Sequence, residues 1–469
     1  MSGELWRKDA VELASDIRNK KVSSREVLEA HLQRVEQVNG HVNAVVRLLA
    51  DQARKDADAA DAELAQGRVR GPLHGVPITV KENIDMAGLP TTQGIPLLAE
   101  AIPAEDAPVV EKMKAAGAIP FARTNLPDLG LRVHTDSTLY GRTKNPWQPD
   151  RTAGGSSGGE GAAIASGMSP LGLGNDIGGS LRNPAHACGI ASIKPTVGAI
   201  ADAQYFPEQE RGLAAQVMLT QGVMARRIAD VRVGFAAVAG EHRRDPISVP
   251  AVFTDLAKGE KLRVAVMAEP PGGSTHPEVA DAVRKAAAAL SDAGHLVEEV
   301  TPPEYELTLD VWGQMMSAEL HAQIDLLKMA VGENGWKLLE YSMEVIPEVS
   351  FAEYLRAQYV RDGLVRKWQM WFSDYPVLLC PTWTQPPFVY DYDIKDTQSA
   401  AATLELMRPV KPANVLGLPA VVVPCGVAEG LPVGVQVMGA RFTDLRCLSV
   451  AEQIEQRHPI ATPIDPVGL

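Results

Sequence analysis

The sequence predicts an α/β fold built as one large unit, and three observations carry that prediction. Short apolar segments with period-two alternation recur between stretches whose apolar residues fall at helical spacing. Gly and Pro turn signals separate them in strand–helix–strand order. The 469 residues, 45% of them hydrophobic, contain no repeat, no low-complexity tail and no dividing linker.

The elements follow in order. Ala10, Leu13 and Ile17 share a helical face. Ser23 with Glu26 forms a capping-box pattern, and Val27, Leu28, Val35 and Val38 continue a second helix that Asn39-Gly40 is expected to stop. A third, alanine-rich helix runs to Gly67. In GPLHGVPITVKENID the period changes: Val76, Ile78 and Val80 take one face of a strand, Thr79 and Lys81 the other. KMKAAGAIPFARTNL reads as helix end, Gly stop and strand, and LTQGVMARRIADV as a strand feeding a helix. LRVAVM is a buried strand. Thr275 with Glu278 predicts the cap of a helix striped by Val279, Val283, Ala287 and Leu290 and ended by Gly294. Residues 305–375 are helical and rich in Trp and Met, as helix-packing core first and pocket wall second. VLLCPTW, AVVVPCG and PVGVQVMG close the chain as strands.

Charge and composition exclude several classes of function. Forty-five Lys and Arg against 58 Asp and Glu give a net charge of −13, which argues against binding a phosphate backbone and for a soluble, cytoplasmic protein. The first twenty residues mix charges, so they are not a secretory h-region, and no apolar run is long enough for a bilayer. Cys188, Cys380, Cys425 and Cys447 lack metal or CxxC spacing and are expected to be buried thiols. No HExxH occurs among the ten histidines, and no metal or other cofactor is expected.

The stretch from Arg151 to Ile190 carries the chemistry. It holds Gly-Gly-Ser-Ser at 154–157 and Gly-Gly-Ser at 178–180, with Ser156 and Ser180 24 residues apart. Glycine at this density is kept where backbone approaches something closely, and backbone amides close to a serine hydroxyl suit acyl transfer. No Lys follows the glycines as a P-loop requires, and GLGNDIGG lacks GxGxxG spacing. Gly154-x-Ser156-x-Gly158 has the pattern of a nucleophile elbow, but the polar, proline-broken NPWQPDRTA precedes it instead of a buried strand. On residues alone, Lys81 reads as a surface lysine ending a strand and the two serines as turn or cap residues.

GGSSGGEGAAIASGMSPLGLGNDIGGSLRNPAHACGIASIKPT closely resembles the amidase signature family, nearer its fatty acid amide hydrolase and aryl acylamidase branches than many others. GPLHGVPITVKENIDMAGLPTTQG, TLYGRTKNPW, GVMAR and NVLGLPAVVVPCG with GLPVGVQVMG extend the resemblance to about two-thirds of the chain. It implies a large mixed central β-sheet flanked by helices on both faces, an α/β/α sandwich. The single domain would comprise N-terminal helices to residue 66, a catalytic core over 67–235, and a C-terminal half over 236–469 containing the variable helical region 305–375.

Carried over by position, the resemblance implies Ser180 as nucleophile, Ser156 as bridging serine after a cis Gly155–Ser156 peptide, and Lys81 as base. A lysine serves as base only when neutral near pH 7, which burial favours. The amides of Ile177, Gly178, Gly179 and Ser180 would form the oxyanion hole. Asp176 and Arg182 are expected to brace the loop, and Gly154, Gly155, His134 and Trp383 to contact substrate. Departures from the family pattern are Asn175 where Ser or Thr is common, Val223 in GVMAR, and Pro412 to Asn414 without a neighbouring aromatic. The resulting expectation is an amidase acting on a small, neutral or apolar linear amide, with carbamates (urethanes) and esters as neighbouring substrates. It would work as a monomer or homodimer, with neither nucleic acid nor membrane as partner. The alternatives are an amidotransferase subunit of a tRNA-dependent complex and a non-catalytic binding protein on the same fold.

Overall fold

The structure, a computed structural model, describes residues 2–204 and 211–469. Among these residues thirteen strands form. In chain order they are β1 (Val45–Leu48), β2 (Pro77–Lys81), β3 (Ile119–Thr124), β4 (Asp136–Ser137), β5 (Gly141–Arg142), β6 (Leu171–Asp176) and β7 (Ala191–Lys194). There follow β8 (Thr220–Ala225), β9 (Arg263–Val266), β10 (Leu296–Glu299), β11 (Val377–Pro381), β12 (Ala420–Ala428) and β13 (Leu431–Gly439). Eleven of them build one mixed sheet in the order β1-β3-β2-β6-β8-β7-β12-β13-β11-β9-β10, while β4 and β5 pair separately. The central β3-β2-β6 neighbours are parallel, as are β11-β9-β10, and antiparallel pairings join these blocks.

Alternation along each strand divides the core into two layers. Ile78 and Val80, Leu171 and Leu173, Val421 and Val423, and Val377 and Leu379 enter one cluster, with helices Ala10–Arg18, Ile228–Val238, Pro277–Asp292 and Asp444–Arg457. Phe121 and Val422 enter a second cluster with helices Ala50–Ala65, Gly158–Ala165 and Arg182–Cys188. Leu378, Cys380 and Met438 enter a third with helices Tyr305–Ala322 and Phe351–Asp374. Since consecutive strand residues point to opposite faces, the sheet is covered on both sides and the architecture is the expected sandwich. No described helix is long and apolar enough to cross a membrane.

The helix and strand expectations are met for most segments, with three corrections. The helix capped by Ser23 and Glu26 does not stop at Asn39-Gly40 but continues to Val42, with Asn43 in the left-handed region. Asn39 instead accepts the Ala44 and Val45 amides and donates to the Val45 carbonyl, capping the start of β1, an edge strand that its four residues do not announce. At the 277–292 helix the cap is His276, whose ring accepts the Glu278 amide, and the Thr275 hydroxyl makes no hydrogen bond. The four cysteines are buried and unpaired.

Within 305–375 the chain splits into helices Tyr305–Ala322, Ile324–Ala330, Glu333–Val345 and Phe351–Asp374. Met315 and Trp368 are core, whereas Met370 is 68% exposed.

Candidate active site

Two adjacent parallel strands deliver the polar groups of the site. β2 ends on Lys81 and β6 on Asn175 and Asp176, at the carboxyl end of the parallel block where α/β sheets leave a crevice. Alternating glycines in β6 let the serine-bearing segment approach. A Cβ on Gly172 would overlap the Glu160 carboxyl, and one on Gly174 would sit 2.8 Å from Ser157 Oγ.

Lys81 is fully buried, and its Nζ donates to Ser156 Oγ at 2.8 Å and to Asn175 Oδ1 at 2.7 Å. The Gly155–Ser156 peptide is cis. Burial pulls the lysine pKa down to about 7, against the opposing pull of Asp176 and Glu160. Its neighbour Glu82 lies elsewhere, accepting the Thr92 hydroxyl and amide.

The loop carrying Ser180 is held from several directions. Asp176 receives Arg182 Nε at 2.9 Å and Nη2 at 3.0 Å, and Asn414 Nδ2 at 2.8 Å. Burial pushes the Asp176 carboxyl up, yet the Arg182 guanidinium outweighs it and holds the group well below the usual carboxylate range. The remaining Arg182 donors reach Gln436 Oε1, Asn414 Oδ1 and the Val410 carbonyl, so this buried cation is saturated. The two serine loops touch directly, through the Ser157 amide on the Ser180 carbonyl at 3.2 Å.

A family model described as Amidase matches residues 26–448. The chain belongs to the amidase signature family. It is similar over 464 residues, at 40% identity, to indoleacetamide hydrolase of Bradyrhizobium diazoefficiens, covering 97% of this chain and 87% of that protein. It is 33% identical over 483 residues to a glutamyl-tRNA(Gln) amidotransferase subunit of Moorella thermoacetica, covering 97% of each. Its fold matches the solved structure of 6-aminohexanoate cyclic dimer hydrolase complexed with substrate, with TM-score 0.84, 28% identity, and coverage of 97% of this chain and 98% of that one. This amidase is an amide hydrolase of the α/β class.

The remaining expected site residues of the amidase divide. The Gly179 amide is already engaged, donating to Asp176 Oδ1 at 2.8 Å, and Gly179 has φ +95°. Among the described residues no acceptor engages the Ile177, Gly178 and Ser180 amides, so three of the four expected oxyanion donors are unspent.

The four residues expected to contact substrate lie as follows. Trp383 is fully buried, stacked on Phe388 with centroids 5.7 Å apart, and donates its indole N–H to Asn183 Oδ1. His134 is also fully buried, with Nδ1 2.9 Å from Thr152 Oγ1, and burial together with Arg132 and Arg142 holds its pKa well below the usual imidazole value. Gly154 and Gly155 face protein, since a Cβ on either would sit 2.6 Å from Pro184 Cα or the Arg132 carbonyl oxygen.

Sequence reasoning missed Asn183 and Glu160. Asn183 Nδ2 donates to the Gly155 carbonyl at 3.1 Å and the Gly178 carbonyl at 3.2 Å. Glu160 is buried, accepts the hydroxyls of Thr79 and Thr124, and burial raises its carboxyl pKa to about 7. Its place next to the Gly-Ser run and its spacing in a small-residue helix were the available signals. Asn175, a departure from the family pattern, sits directly on Lys81.

A cleft of about 970 Å³ opens beside the site, lined by residues of 306–314, 345–349 and 398–411. Trp312 forms its inner wall, and the ring edge lies 3.3 Å from where a Cβ on Gly178 would stand. Of the Trp- and Met-rich region, the stretch around Trp312 is therefore pocket wall.

Proposed function

We propose that this amidase hydrolyses small neutral amides through an acyl-enzyme on Ser180, with Ser156 as proton relay and Lys81 as base. The observation that carries the reading is the fully buried Lys81 Nζ 2.8 Å from Ser156 Oγ, with its pKa pulled down to about 7. Near neutral pH a large share of Lys81 is the free amine, and a free amine next to a serine hydroxyl can take its proton.

Ser180 Oγ attacks the amide carbonyl carbon as its proton passes to Ser156 Oγ, whose own proton goes to Lys81 Nζ. The carbonyl oxygen becomes an anion stabilised by the Ile177, Gly178 and Ser180 amides; loss of one such donor typically costs about 10²–10³ in rate. Lys81 returns the proton through Ser156 to the departing nitrogen, and the C–N bond breaks. Water then adds to the acyl ester by the same relay and releases the acid.

The substrate class is an aryl or alkyl amide small enough for the cleft, the indoleacetamide of the Bradyrhizobium hydrolase being one example. Carbamates and esters pass through the same tetrahedral chemistry. No step calls for a cofactor, and the net charge of −13 fits a cytoplasmic enzyme without a nucleic-acid partner.

Mass spectrometry after treatment with a fluorophosphonate tests the assignment. The adduct is expected on the peptide containing Ser180, absent in Ser180→Ala and slowed in Lys81→Ala; an adduct on Ser156 instead would overturn it. Ammonia release from indole-3-acetamide by the purified chain alone supports the hydrolase. Activity only in company with other subunits would favour the amidotransferase reading, which rests on the 33% identity to the Moorella protein.

A further inference from the structure

Lys411 is a buried cation that the mechanism does not use. It opens the helix Lys411–Val415, is 9% exposed, and lines the same cleft as Trp312. Its Nζ stands 5.0 Å from the Trp312 ring centroid. Among the described residues this amine meets no hydrogen-bond acceptor; burial pulls its pKa down to about 8, with Arg408 acting the same way and Glu405 and Asp310 opposing. The buried Trp312 Nε1 also has no partner. Two donors without acceptors therefore lie at the inner wall of the cleft, on a ring whose benzo edge abuts the Ser180 loop.

The Trp312 donor is buried and unmet, which is costly, while Lys411 lines the cleft and can donate to an oxygen placed there. The cleft's other charged side chains choose between acceptors. Glu306, Asp310 and Glu405 line it, and of these Glu405 is paired with Arg408 at 2.7 Å. An anionic group would meet their repulsion, whereas a neutral oxygen would leave the cation over the indole face undisturbed.

We propose that Lys411 is a specificity residue that donates to a neutral oxygen acceptor (a ketone, an ether or a second amide carbonyl) on the substrate arm lying in the cleft. The enzyme thus prefers amides bearing such an oxygen over plain aryl or alkyl amides. This rests on Ser180 being the nucleophile, which sets where the arm begins.

The test compares phenylacetamide with its para-acetyl and para-carboxy derivatives in wild type, Lys411→Met and Lys411→Arg. Wild type is expected to favour the acetyl compound by at least about tenfold in kcat/KM, chiefly through KM, as a charge-assisted hydrogen bond implies. In Lys411→Met the acetyl compound loses at least about tenfold more than phenylacetamide, and Lys411→Arg keeps the preference. No acetyl preference in wild type, an undiminished one in Lys411→Met, or a preference for the carboxylate would each overturn the proposal. The wild-type comparison decides even where a variant does not fold. Fluorophosphonate labelling run in parallel separates the two readings. An adduct on Ser180 without acetyl preference sinks only the role of Lys411, and no adduct on Ser180 sinks the nucleophile assignment first.

Discussion

Trp383 donates its indole N–H to Asn183 Oδ1 at 2.8 Å, and the same carboxamide's Nδ2 reaches both the Gly155 and Gly178 carbonyls. One side chain thus ties the peptide preceding Ser156 to the loop of Ser180, and Trp383 fixes which way the carboxamide points.

Replacing Asn183 by Ala should lower kcat by about 10–100-fold with a smaller change in KM, because a serine displaced by about an ångström loses that much. Trp383→Phe keeps the stack on Phe388 but frees the carboxamide, and should lose less. The double variant should be no worse than Asn183→Ala alone, since both act through one contact. Steady-state kinetics check this; a fall in Tm with kcat intact would assign Asn183 to stability only.

The Lys81 pKa near 7 sets a sign for the pH profile. With Lys81 as the proposed base, active only as free amine, kcat/KM should fall as pH drops through about 7 and level off above it. A profile flat from about pH 5 to 8 would remove Lys81 as the titrating base.

Glu160 is one of two carboxylates whose charge raises the Lys81 pKa, the other being Asp176. Glu160→Gln removes that charge, keeps an acceptor for one of Thr79 and Thr124 and offers the other an N–H donor. The acid limb should move to lower pH, by up to about one unit. Because Glu160 itself titrates near 7, the wild-type limb belongs to the pair, and the variant's should approach one proton. A limb that moves upward would contradict this electrostatic role.

Gly179→Ala should cost at least about 100-fold in kcat, since its φ of +95° disfavours any side chain and a Cβ would overlap the Asn183 carboxamide. The melting temperature should fall much less than the activity, which calorimetry beside kinetics resolves.

Arg182→Met leaves the buried Asp176 charge without its partner and should destabilise the fold by about 3–5 kcal/mol. Urea unfolding measures it. A loss below about 1 kcal/mol would mean that Asn414 and the loop amides suffice to hold the carboxylate.

Much of this architecture is legible in the chain. Strand alternation at Val76, Ile78 and Val80 and the capping box of Ser23 and Glu26 are local patterns, and the fold follows them. Expectations slip where a partner outside the local pattern intervenes. Asn39-Gly40 reads as a helix stop, but the Asn39 side chain turns to the Ala44 and Val45 amides and caps β1 while the helix runs on. The burial of Trp383 and His134, both expected to contact substrate, is likewise set by packing that no local pattern carries.

Periodicity and glycine density are properties of neighbouring residues, so most of the secondary elements, the family and the residue types available for acyl transfer are legible in the linear chain. Which side chains meet is settled only when the chain is folded. Lys81 and Ser156 lie 75 positions apart, and Asn183 and Trp383 lie 200 apart. The ionisation of Lys81 is decided there too, because the lysine pKa depends on how completely strands and helices exclude water from it, and no local pattern of residues carries that quantity.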